Sequence, residues 1–257
     1  MNRAVKTTLQ IVGASIAVLV LAIFGVFYSA FGGNAPIVDG AEPAPGVRIL
    51  KDGVVSIGVI DAGNDKLLLI DAGNDASGKP LLAELARRKL TSDAVSAIFL
   101  THGHPDHTAG VHLFPKADVY ALEPDVALAE GRAGSHGPVT QLFSPHSNGT
   151  KITHPLHDGD AISVGDATVR VFGVPGHTAG SAAYLVRNVL FLGDSAGLKT
   201  SGKLAGAPWA FSDDSAQNHA SLKALADRLR PEQIHIVAIA PAHTATGTFD
   251  PLAQYTP

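Results

Sequence analysis

The sequence contains no cysteine. That excludes disulfides and thiolate metal ligands, and it fits an oxidising compartment, where a stray thiol is a hazard. Charge is sparse. Asp, Glu, Lys and Arg make up 16% of the 257 residues, the formal net charge is −4, and no basic run occurs. Nothing in that balance points to nucleic acid. No GxxxxGK[ST] or GxGxxG lies in the strand–helix context that a phosphate or dinucleotide loop needs, and "GRAG" and "GLKTSGKLAG" are too loose for one. Tryptophan occurs once, at Trp209. What the chain has in quantity is apolar residues, 46%, enough for one sizeable domain or two small ones with a large core.

The longest apolar run opens the chain. "LQIVGASIAVLVLAIFGVFYSAFGG" carries no charge from Leu9 to Gly33, and about 20 such residues cross a bilayer. It has no polar face, which argues against a buried soluble helix. The run is longer than the core of a cleaved signal peptide. A cut after Ala30 puts bulky Tyr28 at the recognition position, and a cut after Ala35 leaves Pro36 beside the break. We therefore expect a short cytoplasmic segment over 1–8 and an uncleaved transmembrane anchor over 9–31. Arg3 and Lys6 precede the run, so the positive-inside bias sends the rest of the chain across the membrane, to the periplasmic or extracellular side in a bacterium. If the segment is cleaved instead, the protein is secreted. Residues 32–46, with three prolines, read as an extended linker, and a globular domain over 47–257 follows.

The domain begins with strands. "GVVSIGVI" and "KLLLIDAG" are rich in Val, Ile and Leu, with "DAGND" as the turn between them. The hexamer "IDAGND" occurs at Ile60 and again at Ile70, as two strand ends of similar turn chemistry. "KPLLAELARRKL" reads as a helix with Pro80 in its first turn, and "AVSAIFL" as a buried strand. The second half repeats the style. Strands "DAISVG", "TVRVFGVPG", "AAYLVR" and "VLFLGD" precede a helix, "SAQNHASLKALADRL", and a last strand, "QIHIVAIAPAH". Helices interleaved with strands in both halves predict a layered α/β domain.

The stretch "THGHPDHTAG" follows directly on the buried strand "AVSAIFL". Loops placed by a rigid sheet are where chemistry sits. His102 and His104 alternate, so in extended chain both rings point the same way. Asp106 and His107 come round as the loop turns towards a helix. Neutral imidazole and carboxylate are good zinc ligands. Four such side chains between His102 and His107 exceed what one tetrahedral ion with an open position needs, so two ions fit better. A second "HTAG" stands at His177–Gly180.

"THGHPDH" matches the T-H-x-H-x-D-H signature of the metallo-β-lactamase superfamily, and "LLLIDAG", "PGHTAGS", "FLGDS" and "PAHT" follow that family's order. The sequence resembles the family over roughly residues 50 to 245. The resemblance implies an αββα sandwich with a dinuclear metal site at one edge, with two zinc ions as cofactors and iron or manganese as alternatives. It implies that His102, His104 and His177 bind one ion, that Asp106, His107 and His243 bind the other, and that Asp194 and a water or hydroxide bridge them. Asp106 then also orients the attacking water, and Asp71 orients a ligand without being one.

Departures narrow the branch. Ala242 stands where the family commonly has Gly. Asp194 points away from the true β-lactamases, which carry Cys or Ser there. The C-terminal helical segment of glyoxalase II is expected to be missing. So are the insertions and basic surface of the RNA-processing branch. Gly197 replaces the Tyr of the acyl-homoserine lactonases. A generic dinuclear hydrolase remains, acting on an ester, lactone, thioester or related bond of a small molecule. The alternatives are a mononuclear-iron sulfur dioxygenase and a non-catalytic binding protein at the membrane. The long segments 129–149 and 198–214 read as substrate loops, with Trp209, Phe211 and His136 as candidate substrate contacts. His146 reads as a surface residue, and His112, His154, His157, His219 and His235 as structural or surface residues.

Overall fold

The structure is a computed structural model that describes residues 3–230 and 234–256. The chain divides into two compact units, Met1–Gly33 and Asn34–Pro257. Residues 1 and 2 of the expected N-terminal segment lie outside the described residues.

The first unit is a single helix, α1 (Arg3–Phe31). Its portion Leu9–Phe31, 23 residues of mean hydropathy 2.6, is long and apolar enough to cross a membrane. At about 1.5 Å per residue it extends roughly 35 Å, against about 30 Å of bilayer hydrocarbon. Leu9, Val12, Leu19 and Phe24 are all exposed, so within the helix no polar face offsets them.

The second unit opens with β1 (Val47–Asp52), β2 (Val55–Asp61), β3 (Leu67–Ile70), α2 (Lys79–Arg88), β4 (Val95–Phe99), α3 (Pro105–Thr108), β5 (Asp118–Leu122), α4 (Val126–Ala129) and β6 (His154–Leu156). It continues through β7 (Ala161–Val164), β8 (Ala167–Gly173), β9 (Ala182–Val186), β10 (Val189–Gly193), β11 (Ala196–Leu198), β12 (Leu204–Gly206), α5 (Ser215–Leu229) and β13 (Ala238–Pro241). One sheet runs β1-β2-β3-β4-β5-β6, a second runs β13-β10-β9-β8-β7, and β11 pairs with β12 alone.

The sheets face each other across an apolar layer. Ile60, Leu68, Ile70 and Phe99 from the first meet Val169, Val171, Tyr184 and Phe191 from the second. Phe191 reaches so far that a Cβ on Gly58 would stand 2.5 Å from its ring, which explains the bare glycine inside β2. On the outer face of the first sheet, Leu81 and Leu85 of α2 cover Leu69, Val95 and Ile98. On the outer face of the second, Leu222, Leu225 and Leu229 of α5 cover Phe172, Leu185 and Leu190. Each sheet is apolar on both faces, so each needs a helical layer outside. The result is the expected αββα sandwich.

Two strands, β5 and β6, were not expected from the sequence. The last strand is shorter than "QIHIVAIAPAH" suggests, and Gln233 lies outside the described residues. Pairing is confined to Ala238–Pro241, which join β10 in parallel, because Ile234 and Ile236 pack toward the α5 layer instead. The Pro-rich segment after residue 33 is stitched to the body. Ala35 N–H donates to Leu198 O at 2.9 Å, Ala245 N–H to Ala35 O at 3.0 Å, and Gly40 N–H to Ile49 O at 2.8 Å. Prolines extend this chain, but its neighbouring amides still find acceptors.

Candidate metal centre

The carboxyl ends of β3, β4, β10 and β13 deliver Asp71, Thr101–His107, Asp194 and His243. The turn between β8 and β9 delivers His177. Ala182 N–H donates to Thr101 O at 2.8 Å and joins the two sheets at this edge.

Three ring nitrogens form a triangle. His102 Nε2 lies 3.0 Å from His104 Nδ1, His177 Nε2 lies 3.0 Å from His104 Nδ1, and His177 Nε2 lies 3.2 Å from His102 Nε2. The rings stand nearly perpendicular in pairs, at 81°, 83° and 88°. All three are buried.

Their outer nitrogens show which atoms face inward. The Ser212 hydroxyl donates to Pro208 O at 2.9 Å, so at 3.0 Å from His177 Nδ1 it accepts that N–H. The Thr101 hydroxyl donates to Asp71 Oδ2 at 2.8 Å and so accepts from His102 Nδ1 at 3.2 Å. His102 and His177 therefore turn lone pairs toward each other. His104 meets Ser135 Oγ with Nε2 at 2.5 Å, the acceptor it needs when Nδ1 carries a lone pair inward. Burial first, then neighbouring imidazoles, hold the pKa of His102 well below its ordinary value. Burial does the same for His177 against the opposing pull of Asp194. Neutral imidazoles with converging lone pairs suit a cation. Zinc–nitrogen bonds of about 2.0–2.1 Å put tetrahedral ligands roughly 3.3–3.4 Å apart, close to the observed spacing.

A second group lies beside the first. His107 Nε2 is 3.8 Å from Asp106 Oδ2, and His243 Nε2 is 3.6 Å from the same oxygen. His107 donates from Nδ1 to Asp71 Oδ2 at 2.8 Å, and His243 from Nδ1 to Val54 O at 2.7 Å. Between the groups stands Asp194, buried, with Oδ1 3.2 Å from His107 Nε2 and Oδ2 3.0 Å from His243 Nε2 and 3.5 Å from His177 Nε2. His107 Nε2 and Asp194 Oδ1 are buried without a hydrogen-bond partner. Buried polar atoms are normally satisfied, so this pair of orphans fits an ion that binds both. Burial opposes charge on both residues. For Asp194 it is outweighed by His243 and His107, which hold its pKa well below the carboxylate range. For His107 it is outweighed by Asp71, Asp194 and Asp106, which raise its pKa well above the usual value.

The structure thus brings His102, His104 and His177 together, then His102, His107 and Asp194, then Asp106, His107 and His243. Asp71 touches His107 from behind. Sequence reasoning missed Ser135, Ser212, Asp125 and the Val54 carbonyl, since none belongs to a repeated or spaced pattern. His136 and Trp209 are exposed and Phe211 is half-buried. His136 N–H donates to Asp213 Oδ1 at 2.8 Å and Val139 N–H to Ala210 O at 2.8 Å, so the two long loops are joined. Among the remaining histidines, His112 bonds Ala109 O through Nδ1 and His146 contacts Ser144 O. His154 stacks on Tyr120, and His219 bonds the Tyr255 hydroxyl.

A family model described as "Metallo-beta-lactamase superfamily" matches residues 50–243. Hydroxyacylglutathione hydrolase 2 of Vibrio vulnificus (strain YJ016) is 32% identical over 138 residues, covering 54% of this chain and 45% of that protein. A hydroxyacylglutathione hydrolase of Aeromonas hydrophila is 34% identical over 161 residues, covering 62% and 51%. The chain spans about half the length of these curated relatives. Among solved structures, BJP-1, a subclass B3 metallo-beta-lactamase of Bradyrhizobium japonicum, aligns with TM-score 0.58 at 21% identity, covering 83% of this chain and 81% of that one. The metallo-beta-lactamase family protein TTHA1429 from Thermus thermophilus aligns with TM-score 0.56 at 23% identity, covering 79% and 75%. These likenesses establish the sandwich fold.

Proposed function

This chain belongs to the metallo-beta-lactamase superfamily, and on that premise we propose that it is a metal-dependent hydrolase of an ester, thioester, lactone or related acyl bond. One observation carries the reading: the single carboxylate of Asp194 faces both nitrogen groups, Oδ1 toward His107 and Oδ2 toward His177 and His243. We assign His102, His104 and His177 to one divalent ion, Asp106, His107 and His243 to a second, and Asp194 to both. Zinc suits this imidazole and carboxylate set, with iron or manganese as substitutes. Bound there, the ions supply an acidified water and polarise the bond to be cleaved.

The chain's own residues orient the site. Thr101, Ser212, Asp71 and the Val54 carbonyl take the outer N–H groups of four rings and fix their tautomers, as partners of ligating histidines do. Asp106 is the ligand carboxylate open to solvent, its side chain 29% exposed against 5% for Asp194. That exposure supports its role in aligning the incoming water.

We place the substrate against the two joined loops. Ser135 and Ser212 each touch a ligand ring, and His136 and Trp209 lie one and three residues from them. Trp209, 45% exposed, and Phe211 then form an apolar wall, with His136 at the rim. The names of the curated relatives put thioesters first among substrates. We also read α1 as an uncleaved anchor that holds the domain over 47–257 on the non-cytoplasmic side, with 32–46 between them.

The test is metal analysis of the purified protein joined to assays on thioester, ester, lactone, β-lactam and phosphodiester substrates. We expect about two ions per chain and hydrolysis of an acyl bond. A single iron with oxygen consumption in the presence of a persulfide overturns the hydrolase reading, and metal-free protein overturns the enzyme reading.

A further inference from the structure

The geometry points to Asp125 as a positioning residue that clamps the His102–His104 loop to the His177 loop, so that the three ring nitrogens meet. This rests on the ligand assignment proposed above.

Asp125 lies in the turn after β5, a strand that contributes no ligand of its own. It is 1% exposed. Its Oδ2 accepts the Gly103 N–H at 2.8 Å and the Thr178 hydroxyl at 2.8 Å, and its Oδ1 accepts the Gly180 N–H at 2.7 Å. Gly103 lies between His102 and His104, and Thr178 follows His177. One carboxylate therefore holds both ligand loops, one from each sheet. An ionised carboxylate is acceptor-only, which suits three donors converging from two sides.

A second observation is independent of those bonds. A Cβ on Gly103 would meet Ala129 N at 2.5 Å, and a Cβ on Gly180 would meet Asp125 N at 2.5 Å. Both obstacles are backbone, which moves only with the loop. Gly103 thus presses against the end of α4, and Gly180 against the turn that carries Asp125. This accounts for the glycines of "HGH" and of the second "HTAG". The first "HTAG" does other work, since Thr108 Oγ1 accepts from Asn148 Nδ2 at 2.6 Å.

The clamp matters because the ring spacing depends on registry between segments of different sheets. Ala182 N–H to Thr101 O ties them directly, and Asp125 adds three bonds nearer the rings. His107 and His243 hang on other contacts, to Asp71 and Val54. Loss of Asp125 should therefore fall on one ion and spare the other.

The experiment is a zinc titration of the full chain in detergent against a chromophoric chelator, with circular dichroism and melting on the same samples. Wild type is expected to bind two ions, and failure to do so overturns the ligand assignment itself. Asp125→Asn keeps size but turns an N–H donor toward one of the clamped donors. It is expected to weaken one ion about 10–100-fold, as loss of an orienting partner commonly does. That loss should persist in a His243→Ala background and vanish in a His102→Ala background. Thr178→Val, which removes one donor, should shift the same ion by less, and it decides the matter if Asp125→Asn does not fold. Leu225→Ala, on the buried face of α5, provides a purely destabilised control. The inference is overturned if Asp125→Asn titrates as wild type, or if both ions weaken in step with melting temperature as in Leu225→Ala. It is equally overturned if Asp125→Asn does not fold and Thr178→Val binds as wild type.

Discussion

Asp71 holds His107 and Thr101 at once: Oδ2 accepts the His107 Nδ1–H at 2.8 Å, and Oδ1 accepts the Thr101 N–H at 2.7 Å. The backbone at Asp71 is left-handed, with φ of 62°, a conformation that Asp and Asn tolerate better than other side chains. Asp71→Asn should therefore keep the turn while removing the charge behind His107. We expect affinity for one of two ions to fall about 10–100-fold with unchanged circular dichroism. Wild-type binding in a chelator competition would remove Asp71 from the site's support.

Ser212 plays the corresponding part for His177, accepting from Nδ1 while donating to Pro208 O. Ser212→Ala leaves a buried N–H without its acceptor, a loss of about 1–3 kcal/mol. We expect weaker metal binding than wild type but stronger than His177→Ala, read by the same titration. An effect equal to that of His177→Ala would mean the loop, not the ring's tautomer, had been lost.

The ligand candidates are legible because they sit in short motifs at strand ends, where one apolar run fixes the position of the next few side chains. The two copies of "IDAGND" show the limit. Asp71 in the second is buried against His107, whereas Asp61 in the first is a half-buried partner of Arg88. Nothing local separates them, since the difference comes from which strand faces the site. Ser135, Ser212 and Asp125 were illegible for the same reason. Each meets its ring or loop across 22 to 55 residues of sequence, through loops whose path only the packed sheets decide. A layered α/β domain was readable from two rounds of strands and helices, and the sandwich from the family resemblance, though β5 and β6 went unread.

Away from the site, Glu84 of α2 is buried yet receives Arg87 through Nε at 2.8 Å and Nη2 at 2.7 Å, and Arg88 through Nε at 2.6 Å. Burial pushes its pKa up, but the two guanidinium groups prevail and hold it below the usual value. A depressed folded pKa gives stability that is present above the unfolded value, about 4.3, and lost as pH falls through the folded one. Glu84→Gln should be less stable than wild type by about 1–2 kcal/mol at neutral pH. The gap should close below about pH 4. Urea melts from pH 7 to pH 3 measure it, and a gap that is constant with pH would assign the loss to packing.

The apolar helix predicts a fractionation result. Full-length protein should remain with membranes through an alkaline carbonate wash, while residues 34–257 alone stay in the supernatant. Native protein that is soluble and begins near residue 31 would show a cleaved leader instead.

Asp194 offers the sharpest test of the proposed site. It follows the apolar β10, is buried, and faces His107, His177 and His243 within 3.0–3.5 Å. A strand-end aspartate can also serve only to cap a turn, and the two roles separate cleanly. Asp194→Ala would leave two dications facing each other without the anion between them, so one should bind far more weakly. Asp194→Asn keeps the shape and removes the charge, which separates geometry from electrostatics. We expect it to retain the fold by circular dichroism, to hold about one ion instead of two after dialysis against limiting zinc, and to lose about 10²-fold or more in hydrolysis. A turn-capping residue would instead keep both ions and the wild-type rate, because an asparagine caps the same turn. That outcome would remove Asp194 from the ligands, and the assignment of one carboxylate to both ions would fall with it.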